Sequence, residues 1–75
     1  MRFNQMFLRM TYNGAVKVYR IVRCDTNGNE VTMDTEYIGT FSRYDSVPRD
    51  IWMARVHMIE AEKRDVFVAI IEKAA

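Results

Sequence analysis

Three stretches of the chain, residues 2 to 11, 15 to 24 and 31 to 40, are rich in Val, Ile, Phe, Tyr and Thr and read as β-strands. Asn13-Gly14 separates the first two and Asn27-Gly28 the next two. Asn and Gly both tolerate positive φ, so each pair predicts a two-residue hairpin. The pattern changes at "FSRYDSVPRD". Ser46 suits an N-cap, Pro48 a first helical turn, and Asp50 the positive end of a helix dipole. A helix is predicted from about Val47 to about Lys63. The run Val66 to Ile71 is uniformly apolar and mostly β-branched, which predicts a short buried strand. A continuing helix is the alternative there, because no glycine lies between Lys63 and Asp65. The predicted order is β-β-β-α-β: an α+β fold, a small antiparallel sheet with one helix packed on one face, in a single domain spanning residues 1 to 75.

Two-residue turns fix register, so the faces can be worked out. One face should gather Phe3, Phe7, Val16, Val18, Val22, Cys24, Val31, Met33 and Tyr37 as the bed for the helix. The other should gather Met6, Leu8, Met10, Tyr12, Tyr19 and Ile21, rimmed by Lys17, Arg23, Asp34 and Glu36. An apolar centre with a charged rim has the composition of an interaction surface. Within it Met6, Leu8, Met10 and Ile21 are the expected dimer interface. Tyr12, Lys17, Tyr19 and Arg23 are the expected partner-binding residues. The helix carries two apolar stripes, Ile51/Ala54/Met58/Ala61 and Trp52/Val56/Ile59, more than one sheet face needs. A second copy could cover the surplus.

Composition narrows the chemistry. At 75 residues the chain is near the lower limit for an unaided core, and it has one cysteine and one histidine. Neither an internal disulfide nor a Cys/His zinc cluster can form. Cys24 fits a reducing cytosol and reads as a small core hydrophobe. His57, with no nucleophile and orienting acid around it, reads as a solvated residue rather than a base. "TNGN" lacks the strand-loop-helix setting of a phosphate cradle, and Trp52 reads as a core anchor. No catalytic residue, metal ligand or cofactor is expected. The first ten residues are too broken by Arg and Asn for a signal-peptide core, and no apolar run reaches the roughly 20 residues of a membrane span. The expected setting is cytoplasmic.

Charge is balanced overall but uneven along the chain. Residues 1 to 24 carry Arg2, Arg9, Lys17, Arg20 and Arg23 and no acid, while residues 25 to 46 carry five acids against Arg43. This is either a basic patch for an acidic partner or oppositely charged strands lying side by side. Arg and aromatic side chains interleaved on the first strands are also the ingredients of a nucleic-acid stacking platform, which keeps a small nucleic-acid-binding regulator as the alternative function.

"YDSVPRDIWMARVHMIE", residues 44 to 60, resembles a segment of small phage-encoded accessory proteins in which strands precede an Asp-x-hydrophobic-Pro lead into an amphipathic helix. This sequence has Arg49-Asp50 where those proteins more often carry an acidic-aromatic pair. The resemblance implies a protein that binds and blocks a host factor, such as a defence or transcription protein. The expectation is a non-enzymatic, homodimeric binding module acting on another protein.

Overall fold

The first ten residues are not a strand. In the computed structural model, which describes residues 1 to 73, they form a 3-10 turn at Phe3–Gln5 and a helical turn α1 at Phe7–Met10. Phe3, Met6, Phe7 and Met10 follow the i, i+3, i+4, i+7 spacing of a helix face, and all four are buried. Leu8 and Arg9 point outward. The remaining elements are β1 (Ala15–Asn27), β2 (Glu30–Ser42), a one-turn helix α2 (Arg49–Trp52), β3 (Val56–Lys63) and β4 (Val66–Ile71).

The four strands form one mixed sheet in the order β2-β1-β4-β3. β1 pairs antiparallel with β2 and parallel with β4, while β3 pairs antiparallel with β4. The protein is therefore mostly sheet with a minor helical component. It replaces the expected all-antiparallel β-β-β-α-β arrangement with β-β-α-β-β preceded by helical turns. The helical elements cover one face. Val16 and Val18 of β1, Ala69 and Ile71 of β4, and Ile51 of α2 close a core with Phe3, Met6, Phe7 and Met10. Phe41, Val56 and Phe67 pack around it.

Asn27-Gly28 does mark a hairpin, one position later than the motif itself suggests. Asn27 pairs with Glu30, so Gly28-Asn29 is the loop. Gly28 has φ 64° and Asn29 does not share the positive sign, the pattern of a II′ turn. Asn13-Gly14 marks no hairpin. Gly14 lies against the chain reversal between β3 and β4, and a Cβ there would overlap the Asp65 carbonyl. That carbonyl accepts the Ala15 N–H at 2.9 Å, which starts the β1–β4 ladder. Asp65 itself takes φ 64°, a value Asp tolerates, and so turns β3 into β4 without a glycine.

The long helix predicted from Val47 to Lys63 stops after one turn. Phe3 N–H donates to the Ala54 carbonyl at 2.8 Å, and Val56 N–H to the Met1 carbonyl at 2.9 Å. The N-terminal segment thus holds residues 54 to 56 extended. β3 then pairs along β4 with irregularities at His57 and Glu62. β4 is the strand expected over Val66 to Ile71, and it lies between two neighbours as its unbroken apolar run requires. The lead-in at Asp45–Pro48 is present, but the amphipathic helix that the phage-protein resemblance implies is absent.

Candidate partner-binding groove and the fate of the predicted site

The expected interaction face is dispersed by the fold. Met6 and Met10 are in the core, because the segment is helical and not alternating. Neither presents the exposed side chain that the expected dimer face requires. Leu8 is exposed on the helical side, and Ile21 is buried on the sheet. Lys17 and Tyr19 lie on the open face of the sheet. There the Tyr19 ring meets Tyr37 edge-on at 5.4 Å, and Lys17 Nζ donates to Glu62 at 2.9 Å. That bond, more than any other contact, holds the Lys17 pKa above the ordinary lysine value. Tyr37 was expected on the core side. An extra residue at Val22 in β1 inverts the pairing parity and sets Tyr37 opposite Tyr19. Val22, Cys24 and Val31 are likewise exposed rather than buried.

Arg23 sits farther out, on an arm. β4 ends at Ile71, opposite Arg20 of β1, and the β1–β2 hairpin continues for seven more residues of β1, Ile21 to Asn27, and six of β2, Glu30 to Thr35. The molecule is 41 Å along its longest axis, close to the roughly 43 Å that a 13-residue strand spans at about 3.3 Å per residue. Arg23 Nε donates to Asp25 Oδ2 at 2.6 Å on this arm.

Leu8 lines a groove of about 420 Å³ bounded by α1, the loop after β2, and α2, and Tyr12 flanks it through its contact with Arg43. Phe7, Leu8, Val47 and Trp52 form its apolar wall, and Arg43, Asp45 and Arg49 edge it. Trp52 is half-buried and stands edge-on to Phe7 at 5.4 Å, so the expected core anchor is partly a groove wall. The loop is held by two reciprocal bonds. Ser42 N–H donates to the Asp45 carboxylate at 2.7 Å, and Asp45 N–H donates back to the Ser42 carbonyl at 3.0 Å. That lock carries Arg43 between two tyrosines, its guanidinium 5.7 Å from the Tyr12 ring and 5.8 Å from the Tyr44 ring. Tyr44 is 93% exposed.

Among the described residues neither Arg43 nor Arg49 has a salt-bridge partner. The three ion pairs are Lys17–Glu62, Arg20–Asp50 and Arg23–Asp25. The groove therefore offers two guanidinium groups without an ion-pair partner, against the single Asp45 carboxylate, beside a wall of aromatic and aliphatic carbon. Trp, Tyr and Arg are the residues that dominate binding hot spots. Sequence reasoning missed Arg43, Tyr44, Arg49 and Val47, although four Arg and aromatic residues within ten positions, Arg43 to Trp52, were a visible signal. Their helix-capping neighbours masked it.

A second, charged groove holds Arg2, Arg20, Asp50, Arg55, Glu72 and Lys73. Arg20 Nη2 donates to Asp50 Oδ2 at 2.7 Å, and this bond is the main reason the Asp50 pKa lies below the ordinary aspartate value. The basic residues of the first 24 positions thus part company. Arg2 and Arg20 are here, Lys17 is on the open face, and Arg23 is on the arm. Arg9 lines two further pockets beside Met10 and Phe67.

No group of three or more His, Cys, Asp or Glu with the placement of a metal site occurs among the described residues. Among the same residues no helix is long and apolar enough to cross a membrane. Comparison with protein-family models, curated proteins and solved structures finds no match for this chain.

Proposed function

We propose that this chain is a non-enzymatic binding module that takes a segment of another protein into the groove between α1, the loop after β2, and α2. The observation that supports this reading is the pair of unpaired guanidinium groups, Arg43 and Arg49, beside the apolar wall of Phe7, Leu8, Val47 and Trp52. Apolar area supplies affinity, and the two cations select a segment in which acidic and aromatic or aliphatic side chains adjoin. Tyr12 and Tyr44 hold Arg43 by cation–π contact and extend the rim over such a segment. A host factor is the class of target that the likeness to phage accessory proteins implies, and blocking it would require only that its segment be occupied.

The test is affinity capture with three baits: wild type, Arg43→Ala/Arg49→Ala, and Lys17→Ala on the open sheet face. A protein recovered in stoichiometric amount by wild type and Lys17→Ala, and lost with the groove pair, is the expected result. Recovery unchanged by the groove pair refutes the groove. Recovery that disappears on nuclease treatment replaces it with the nucleic-acid reading.

A further inference from the structure

The arm beyond β4 raises a separate matter from the groove. Past Arg20, β1 has β2 on one side and no strand on the other among the described residues, so Ile21–Asn27 presents a free edge seven residues long. Unpaired strand edges recruit further strands, and isolated two-stranded ribbons are marginal in water. Among the described residues β2 is free along its outer edge too, but Glu30–Ser42 contains three acids and no base, so pairing it with itself brings like charges together. The outer edge of β3 is interrupted twice, at His57 and Glu62, whereas the β1 edge carries one irregularity, at Val22 near its inner end, and runs regularly from Arg23 to Asn27. The β1 edge differs from both. Arg23, Cys24 and Asp25 read as positive, neutral, negative about a centre, and that centre is the midpoint of the seven free residues.

We infer that the free edge of Ile21–Asn27 pairs antiparallel with the same segment of a second copy, about a two-fold axis at Cys24. In that register Arg23 of each chain faces Asp25 of the other and Cys24 faces Cys24. The hydrogen-bonding parity fits. The closing pair of a two-residue hairpin is a hydrogen-bonded pair, so Asn27, Asp25 and Arg23 turn their backbone groups toward β2. Cys24 and Thr26 therefore turn theirs to the free edge. Arg23 and Asp25 then meet their partners as non-hydrogen-bonded pairs, the closer of the two kinds, which favours ion pairing. Arg23 and Asp25 already share a face within one chain, so the dimer gathers four alternating charges there. Cys24 and Met33 face each other across the hairpin, as do Thr26 and Val31, which places an apolar row on the opposite face. The extra residue at Val22 falls at the base of each arm, outside the central Arg23–Asp25 stretch on which the pairing turns.

The experiment is sedimentation of five samples, with a short bis-maleimide reporting the proximity of Cys24, the sole cysteine. Arg23→Asp makes every facing pair acidic and Asp25→Arg makes every facing pair basic. Each alone should weaken self-association by roughly tenfold or more. The double exchange Arg23→Asp/Asp25→Arg should restore it. So should an equimolar mixture of the two single variants, in which every facing pair is again opposite in charge. Cross-linking should be efficient in wild type, the double exchange and the mixture, and lost in each single variant. Circular dichroism matching wild type keeps the single variants interpretable, and recovery in the mixture does so independently. A monomeric wild type, or a dimer indifferent to these charges, overturns the inference.

Discussion

Alanine at Met6, Leu8 and Met10 in turn separates a helical N-terminus from an alternating one. In a strand these three side chains share a face and would respond alike. In the structure Met6 and Met10 are 5% and 6% exposed within the core, while Leu8 is 58% exposed on the groove rim. Truncating a buried Met costs about 2–5 kcal/mol, from lost transfer energy and the cavity left behind. Met adapts and its neighbours can shift, so about 2–3 kcal/mol is expected at Met6 and at Met10. Leu8→Ala loses little buried area and should cost about 0.5 kcal/mol. For 75 residues at roughly 0.05–0.15 kcal/mol each, total stability is about 4–11 kcal/mol, so either Met variant removes a large share. With a urea slope of about 1 kcal/mol/M the midpoint should fall by about 2 M for each Met variant and about 0.5 M for Leu8→Ala. Trp52, the only tryptophan, stands against Phe7 of the same segment and reports the transition by fluorescence. Equal shifts for all three variants, or a larger shift for Leu8→Ala, would refute the helical packing.

Gly14→Ala should destabilise by about 3 kcal/mol, because the new Cβ forces the Asp65 carbonyl away from the Ala15 amide. Gly28→Ala has open space around it and should cost only the positive-φ penalty of about 1–2 kcal/mol; chemical denaturation of the pair checks the order. Asp50 should titrate below the ordinary aspartate range in a carboxylate NMR titration and return to it in Arg20→Met. Its folded pKa is depressed, so the small stabilisation it contributes is present above the unfolded pKa and fades as pH falls through the folded one. Thr11→Val should cost about 1 kcal/mol in thermal or urea melts, since the buried hydroxyl that donates to the Phe7 carbonyl at 2.7 Å is lost while shape is kept.

Elements whose instructions are local can be read from the residues alone. The β1–β2 hairpin follows from a turn motif between two β-branched runs, and β4 follows from an apolar run too short and too branched for a lone helix. The mostly-β character with minor helix is legible from the same signals. Even the N-terminal turns were written there, in the spacing of Phe3, Met6, Phe7 and Met10, but the Asn13-Gly14 motif competed with it and pointed to a hairpin. What Gly14 serves is a close approach to Asp65, fifty-one positions away, and no local pattern encodes that. Residues 56 to 63 have helix-compatible side chains, yet β4 needs a second neighbour and Met1 and Phe3 bind the residues just before them, so pairing overrides propensity. The candidate site was decided the same way. Tyr12 and Leu8 were singled out from sequence, but α1, the Ser42–Asp45 lock and α2 bring them to Arg43, Arg49 and Trp52. A groove is a relation among three segments, and only their packing creates it.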